Sequence, residues 1–390
     1  MIPRIRRVYI QNFRSIERTV VDLETLTVLV GPNGVGKSNF VQALHWIRSF
    51  VSGGEPPRVA SIRPRWAHEP APFGVEFDLD LGSDLTAKYS FVASLTDSLE
   101  RFPSVLHERC SVVRAGSEVN GFESREGRFL REIPGIRAVL APDRLALTAA
   151  AAVPELRPVY DLLAGIRWYS IQPERVGEGS FAETSGDELS PTGDNAADVL
   201  KAIEQHLPED HARIERLLSQ AVNGIESVGV RDLHRLRQLE FFTKENLPFH
   251  GLEMSDGTLR LLGLLLAIYQ PRRPKVVVFE EPEATVHPAI AELLMQVFRD
   301  ASRRQQVILT THSPDLLDAK ELSDEQIRVV SQRQGRTVIA PLGPASRQAI
   351  RERLYTPGEL LRLSELDDNA EGALASAATY DPFADNRTTT

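Results

Sequence analysis

The spacing of apolar residues predicts a buried strand that leads directly into a helix near the start of the chain. The run Leu26–Val30 is short, apolar and β-branched, which is typical of a strand covered on both faces. From Phe40 to Phe50 the apolar residues recur at helical spacing. A glycine-rich stretch separates the two segments, so a loop joins the strand to the helix.

The rest of the chain alternates between further strand and helix patterns. Short alternating segments across 73–145 predict an antiparallel meander. Helical spacing follows at 196–207 and 210–222, with Pro208 interrupting the two. From about residue 366 the chain is rich in Ala, Asp and Thr, which predicts a disordered tail.

The glycine-rich loop reads Gly31-Pro-Asn-Gly-Val-Gly-Lys37-Ser38, the pattern of a P-loop. Its glycines let consecutive backbone N–H groups turn inward onto phosphates, and the helix that follows adds its positive end. Lys37 is predicted to reach the β- and γ-phosphates of ATP, and the Ser38 hydroxyl to bind Mg²⁺. The predicted nucleotide-binding residues of this loop are Asn33, Gly34, Val35, Gly36, Lys37, Ser38 and Asn39.

A second apolar run, 276–279, ends in the adjacent carboxylates Glu280 and Glu281. At the carboxyl edge of a parallel sheet they would lie beside bound phosphate, pointing to different sides of the strand. One can then hold the Mg²⁺ shell while the other orients or deprotonates the attacking water. A third strand, 306–311, ends at His312, and a crossover helix at 289–301 predicts that His312 lies next to Glu281.

A fourth motif, Ser255-Asp256-Gly257-Thr258, is a small polar turn that opens an apolar helix. By itself it indicates only a helix N-cap. The Ser255 motif is a candidate functional element because it lies only 25 residues before Glu280 (280 − 255).

Together with Asn12-Phe-Arg14-Ser15, these motifs resemble in their order the RecF/SMC-type branch of ABC ATPases. The resemblance is closest to the OLD-like AAA-15/AAA-21 ATPases found in bacterial defence operons. It implies an α/β fold, an ABC-type ATPase head with a P-loop core sheet, an antiparallel β-subdomain and a helical lobe. Glu280 stands where the family usually has Asp, so we expect hydrolysis with slow turnover.

The same resemblance implies that two heads dimerise around two ATP molecules. The signature residues Ser255, Asp256 and Gly257 would then contact the γ-phosphate held by the partner copy. Glu281 matches the family's catalytic base and His312 its switch histidine.

Two further roles are implied at the rim of the nucleotide site. Arg14 matches a residue that approaches the phosphates in repair relatives. Gln172 either completes the Mg²⁺ shell, together with Ser38 and Glu280, or is a surface residue.

The motifs divide the chain into four expected segments. These are ATPase lobe I with the P-loop and meander (1–171), a helical lobe ending in the signature loop (172–258), ATPase lobe II with the carboxylate pair and His312 (259–365), and the tail (366–390). Only 217 residues separate Ser38 from Ser255, which leaves no room for coiled-coil arms. No nuclease domain is expected after His312, so any cutting of nucleic acid would belong to a partner.

Bulk properties narrow the functional classes. The chain has a formal net charge of −9, unlike a dedicated nucleic-acid binder, and its basic cluster Arg4/Arg6/Arg7 is interpreted as a solvated face. Cys110 is the single cysteine, which excludes an intrachain disulfide. No apolar run reaches the roughly 18 residues of a membrane span, so a cytoplasmic protein without membrane contact is expected.

The leading hypothesis is an ATP-driven switch or scaffold that forms a homodimer or larger homo-oligomer. It would control a partner effector such as a nuclease or toxin in anti-phage defence. The alternative is a RecF-like repair ATPase that binds DNA across its paired heads. A transporter ATPase subunit is a minor alternative.

Overall fold

The computed structural model describes residues 2–54, 58–64, 71–95, 103–133, 140–181, 186–287, 290–319, 322–380 and 382. Its strands, numbered in chain order, are β1 (Arg4–Phe13), β2 (Ile16–Asp22), β3 (Leu26–Val30), β4 (Phe73–Gly82), β5 (Leu85–Ser94), β6 (Ser104–Arg114), β7 (Ser117–Arg125), β8 (Arg128–Arg131), β9 (Ile166–Tyr169), β10 (Ser180–Phe181), β11 (Ile225–Leu233), β12 (Leu236–Thr243), β13 (Pro248–His250), β14 (Val276–Glu280), β15 (Gln306–Thr311), β16 (Ile327–Arg333) and β17 (Arg336–Pro341).

The helices connect and cover these strands. In the same order they are α1 (Lys37–Val51), α2 (Ala146–Ala150), α3 (Arg157–Ala164), α4 (Pro173–Gly177), α5 (Ala196–His206), α6 (Pro208–Ala221), α7 (Asp256–Tyr269), α8 (Ala291–Ser302), α9 (Pro314–Leu317), α10 (Pro344–Arg351), α11 (Pro357–Arg362) and α12 (Ala370–Thr379).

A central sheet of order β17-β16-β3-β15-β14-β9 organises the described residues. Neighbouring strands from β16 to β9 are parallel, and β17 pairs antiparallel to β16 at the edge. The connection from β14 through α8 to β15 returns to the adjacent position, as the spacing predicted. The strands that precede each motif therefore end along one edge of the sheet.

Apolar alternation along the central strands fills two cores, one on each face. On β14, Val276 and Val278 pack into the core shared with α1, α3 and the meander. Val277 and Phe279 pack into the other core, with α7 and α8. All four side chains are fully buried, and each such burial stabilises the fold by about 1.5–3 kcal/mol.

The predicted meander is confirmed as an antiparallel sheet of order β2-β1-β4-β5-β6-β7-β8 within the described residues. Helix α1 packs on it through Trp46, whose ring centroid lies 4.8 Å from that of Phe73 and 5.1 Å from that of Phe50. The helix that follows the P-loop thus lies between the meander and the central sheet, which contains the preceding strand β3.

The predicted helical segment is confirmed as α5 and α6, with Pro208 at the first turn of α6. It also contains a small antiparallel sheet, in which β12 pairs with β10, β11 and β13. The predicted fold class, a parallel core sheet with an antiparallel subdomain and a helical lobe, is confirmed.

The prediction of disorder from residue 366 is wrong for the part of the tail that the structure describes. Residues 370–379 form α12, which packs against β2 and β17. Beyond it, the Tyr380 ring contacts Tyr9 at 5.6 Å between centroids, and its hydroxyl hydrogen-bonds with the Glu76 carboxylate. Alanine is the best helix former, so the Ala-rich composition that indicated disorder also suits this helix.

In the described part of the chain, no helix combines the length and the apolar character needed to cross a bilayer.

Candidate nucleotide site

The predicted motifs converge where four parallel strands end. In sheet order, Gly31 follows β3, His312 follows β15, Glu281 follows β14, and Gln172 lies three residues beyond β9. In open α/β sheets this edge is where ligands bind.

The conformation of the P-loop depends on its glycines and on a strand distant in sequence. Gly34 and Gly36 have φ values of 82° and 106°, which favour glycine. A Cβ atom on Gly36 would also lie 2.0 Å from Thr337 Oγ1. That hydroxyl donates to Val35 O at 2.8 Å and shares a hydrogen bond of 2.7 Å with Ser15 Oγ. Thr337 and Ser15 thus support the loop, a role that no motif signalled.

The groups at the start of α1 fit a phosphate. No side chain caps this helix, so its positive N-terminal end faces the loop unneutralised. The Lys37 ammonium donates to Gly31 O at 2.8 Å and to Pro32 O at 3.0 Å. Burial lowers the pKa of Lys37, and the nearby Glu281 carboxylate partly opposes this. Lys37 is a buried cation held mainly by neutral carbonyls, which suits it to transfer to an anionic phosphate.

Glu281 occupies the centre of the site. Its backbone has a φ of 45°, and its N–H donates to Thr310 O at 3.1 Å. Its Oε1 atom lies 3.3 Å from His312 Nδ1 and 3.9 Å from Lys37 Nζ. The prediction that the crossover brings His312 beside Glu281 is therefore confirmed.

Glu280 has different surroundings from Glu281. Its Oε2 atom accepts a hydrogen bond of 3.2 Å from Trp168 Nε1 on the neighbouring strand β9. Carboxylate and hydroxyl oxygens are the ligands that Mg²⁺ takes, and Ser38 in the first turn of α1 is partly exposed. In the described residues, no group of three or more His, Cys, Asp or Glu could enclose a metal. A Mg²⁺ ion carried by substrate phosphates fits this arrangement better than a protein-enclosed one.

Glu283 is a part of the site that sequence reasoning missed. It accepts a hydrogen bond from the Thr311 hydroxyl, which in turn accepts the Ser313 N–H at 2.9 Å. Its other oxygen, Oε2, is buried with no hydrogen-bond partner in the described part of the chain. Burial raises the pKa of Glu283. The available signal was its place in the Glu280-Glu-Pro-Glu motif.

Arg14 lies beside the helix that begins at the P-loop. Its backbone has a φ of 50°, and its Nε donates to Ser61 O at 2.7 Å. Its Nη1 lies 3.4 Å from Asn39 Oδ1 and also hydrogen-bonds with Gln42. A cavity of about 680 Å³ is bordered by Arg14, Asn39 and Gly34. The predicted rim position of Arg14 agrees with this geometry, and its contact with phosphate stays a prediction.

The signature turn caps α7, as its sequence predicted. Ser255 Oγ accepts the Thr258 N–H at 3.3 Å, and Ser255 and Asp256 are exposed. Gly257 packs closely, since a Cβ atom there would lie 2.9 Å from Thr285 O. Arg260 Nε donates to Thr285 Oγ1 at 3.2 Å, which ties α7 to the loop that follows the carboxylate pair.

Gln172 and Asn33 are not brought into contact with the other predicted residues. Both side chains are exposed, and neither makes a side-chain hydrogen bond within the described residues. The Gln172 backbone N–H donates to Thr192 O at 3.0 Å, at the start of α4. A Mg²⁺ role for Gln172 stays a prediction.

Two family models match the segments that carry this site. Residues 4–50 match the AAA ATPase domain, and residues 179–318 match the AAA domain described as a putative AbiEii toxin of a type IV TA system. The first contains Arg14 and the P-loop, and the second contains Ser255, the carboxylate pair and His312.

Similar curated proteins extend this comparison. An OLD nuclease of Thermus scotoductus is 24% identical over 379 residues, covering 89% of this chain and 66% of its own length. A phosphonates import ATP-binding protein (PhnC 1) of Ruegeria sp. strain TM1040 is 30% identical over 86 residues, covering 22% and 32%. The chain thus spans just under two thirds of the length of the OLD nuclease and about one third of the length of the import ATP-binding protein.

Among solved structures, an SMC head domain from Thermotoga maritima is similar at 17% identity. It has a TM-score of 0.44, with 87% of this chain and 99% of the other covered. An Smc head bound to the C-winged helix domain of ScpA is similar at 15% identity and a TM-score of 0.49, with 89% and 99% covered.

Proposed function

We propose that this chain, an ATPase of the OLD-like AAA kind, is a switch that pairs with a second copy of itself when it holds ATP. In this account, hydrolysis separates the pair and changes the state of a partner effector. The observation that supports a hydrolytic switch best is the position of Glu281, 3.3 Å from His312 and 3.9 Å from Lys37. A carboxylate there can act on a water beside a phosphate held by Lys37.

In the proposed reaction, Lys37 leaves the carbonyls of its own loop and binds the β- and γ-phosphates. Ser38 and Glu280 would hold Mg²⁺, which neutralises charge on the phosphates when it is bound. Glu281 accepts a proton from the attacking water. His312, whose Nδ1 lies 3.3 Å from Glu281 Oε1, orients that carboxylate and would report the state of the γ-phosphate to α9, which begins two residues later.

Pairing of two copies is supported by the signature turn. Ser255 and Asp256 are exposed at the start of α7, so a second copy can reach them. If the signature turn of one copy contacts the ATP bound by the other copy, ATP binding and dimerisation become one event.

The effector is proposed from the printed names of the relatives. One relative is called a nuclease, and one family description names a putative toxin. We therefore propose that the effector controlled by the switch is a nuclease or a toxin. In this account the function is defensive, and turnover is slow because Glu280 stands where the family usually has Asp.

A RecF-like DNA clamp is the second candidate, favoured by the nuclease name of the OLD relative. It predicts that duplex DNA stimulates hydrolysis with a steep dependence on salt. Transport is the lesser alternative, because the similarity to the import ATPase covers 22% of this chain.

Light scattering tests the proposed function. The mass of the purified chain is measured without nucleotide, with ATP, and with a non-hydrolysable ATP analogue. The proposal expects the analogue to double the mass of the wild type and to leave the Lys37→Ala variant monomeric. An unchanged mass of the wild type would overturn it.

A further inference from the structure

An arginine-lined cavity of about 460 Å³ lies away from the P-loop. It borders residues 22–24, which lead into β3, whereas the P-loop follows the other end of that strand. The arginines that line it come from three separate parts of the chain and are Arg4, Arg6, Arg7, Arg328 and Arg347. Their convergence is notable because the chain as a whole has a net charge of −9.

A β-bulge places two of these arginines side by side. The register between β1 and β4 shifts between Ile5 and Arg7. Ile5 and Val8 are buried while Arg6 and Arg7 both face outward, because the bulge interrupts the alternation of the strand. Bulges commonly re-aim a side chain in this way at functional positions.

The backbone that carries the arginines is fixed to the central sheet. Gln306, at the start of β15, accepts the Ile5 N–H at 2.9 Å and donates to Ile5 O at 2.8 Å. It also donates to Glu24 O at 2.9 Å. Since Gln306 is fully buried, the cavity wall is held before any ligand arrives.

Arg328 contributes a buried positive charge. It is only 7% exposed, and its guanidinium donates to Asp22 O at 2.9 Å and to Glu325 O at 2.7 Å. These acceptors are neutral carbonyls, and Arg328 forms no ion pair with a carboxylate of the described residues. The Nε atom of Arg4 is also buried without a hydrogen-bond acceptor among the described residues, whereas Arg347 Nε lies 3.3 Å from the Asp324 carboxylate. Buried donors and charges of this kind are stabilised by an anion.

Carboxylates in the lining limit what that anion can be. Asp22 pairs with Arg7 at 2.6 Å and Glu24 with Arg4 at 3.2 Å, while the Arg6 side chain has no ion pair or hydrogen bond among the described residues. Asp78 and Glu325 also border the cavity, which disfavours the extended polyanion of DNA. Carboxylates are good acceptors for hydroxyl or amino groups of a small ligand.

We infer that this cavity is a second binding site, which takes a compact phosphate ester that also carries hydroxyl groups. Arg6 and Arg328 would bind the phosphate, and the neighbouring carboxylates the hydroxyls. The volume falls within the range of small-molecule pockets, roughly 300–1,000 Å³. The inference does not depend on the proposed switch.

Calorimetry with ribose 5-phosphate tests the site in the full-length Lys37→Ala chain, which removes the P-loop as a competing phosphate site. We expect saturable binding that Arg6→Ala weakens by about tenfold or more. Arg128→Ala is the matched control, since Arg128 is an exposed strand arginine outside the cavity, and it should bind as the background does.

Three results would overturn the inference. They are no saturable binding of ribose 5-phosphate, equal binding by the Arg6→Ala chain, or binding of duplex DNA alone that Arg6→Ala removes. Because the P-loop is disabled in every sample, none of these results bears on the ATP-driven switch.

Discussion

Glu281 Oε1 lies 3.3 Å from His312 Nδ1, although 31 residues separate the two along the chain (312 − 281). Their side chains are 35% and 44% exposed, so the pair is open to a substrate. Each follows the end of one of two adjacent parallel strands, β14 and β15. The pair is therefore positioned by the central sheet and depends little on the loops around it.

Removing the charge of Glu281 should stop hydrolysis and leave binding intact. We expect Glu281→Gln to lower the hydrolysis rate by at least about 100-fold, because a neutral amide cannot accept the proton of the attacking water. Nucleotide affinity should stay near the wild-type value. Steady-state phosphate release and equilibrium binding of labelled ATP measure the two quantities. A normal rate of phosphate release would show that another group is the base.

His312→Ala should slow hydrolysis by removing the group that orients Glu281. We expect a loss of about tenfold to 100-fold, smaller than that of Glu281→Gln, because Glu281 itself remains. Combining the two changes should slow the reaction little beyond Glu281→Gln alone. Additive losses in the double variant would contradict the claim that His312 acts through Glu281.

Lys37→Ala should abolish detectable ATP binding, because it removes the buried cation and its charge-assisted hydrogen bonds to phosphate. Equilibrium titration with a fluorescent ATP analogue measures this loss. Since Lys37 is buried among carbonyls, the melting temperature of the variant should be compared in the same samples. Unchanged affinity in a folded variant would exclude Lys37 from the site.

Thr337→Val tests the support of the P-loop from β17. The change keeps the shape of the side chain but removes the hydroxyl that donates to Val35 O. The carbonyl left without this donor should cost about 1–3 kcal/mol of stability, with a several-fold loss of ATP affinity. Thr337→Ser keeps the hydroxyl and should retain affinity. Equal affinity in all three proteins would show that the loop holds its conformation alone.

The residues of the nucleotide site differ in whether the sequence alone could predict them. Lys37, Glu281 and His312 were predictable because a motif or a strand–helix–strand spacing fixes each of them locally. Thr337 lies 322 residues from Ser15, and their hydrogen bond exists only because β17 pairs beside β16. No local pattern specifies that pairing.

The tail and Glu283 illustrate two other limits. Composition cannot separate an Ala-rich helix that finds a surface from one that does not, and α12 is ordered by its contacts with β2 and β17. Glu283 sits two residues after Glu281, but its burial and its bond to Thr311 follow from the turn between them. Burial is a tertiary property, so the sequence alone could not predict its raised pKa.

Stability should fall as the pH rises because of Glu108, which is fully buried in the meander core. It accepts hydrogen bonds from the Tyr89 hydroxyl and from the N–H groups of Ala146 and Leu147. Burial raises the pKa of Glu108 from 4.5 to about 7. Between these values the folded state binds more protons than the unfolded state, so the stabilisation present below pH 4.5 is lost as the pH passes 7.

Urea unfolding at a series of pH values measures this effect. The wild type should lose on the order of 3 kcal/mol of unfolding free energy relative to Glu108→Gln across that range. The glutamine variant is the control, since it keeps the size of the side chain and cannot ionise. Parallel pH profiles for the two proteins would show that Glu108 does not titrate in this range.

The central claim is that two copies share each ATP site, and mixing two inactive variants tests it most directly. Lys37→Ala removes the P-loop lysine and Ser255→Arg blocks the signature turn, so each protein alone should fail to hydrolyse ATP. If the signature acts in trans, each mixed dimer has one site that combines the intact P-loop of the Ser255→Arg copy with the intact signature of the Lys37→Ala copy. An equal mixture should then recover about a quarter of the wild-type rate, since half of the dimers are mixed and each holds one good site. A mixture as inactive as its components would contradict a shared site.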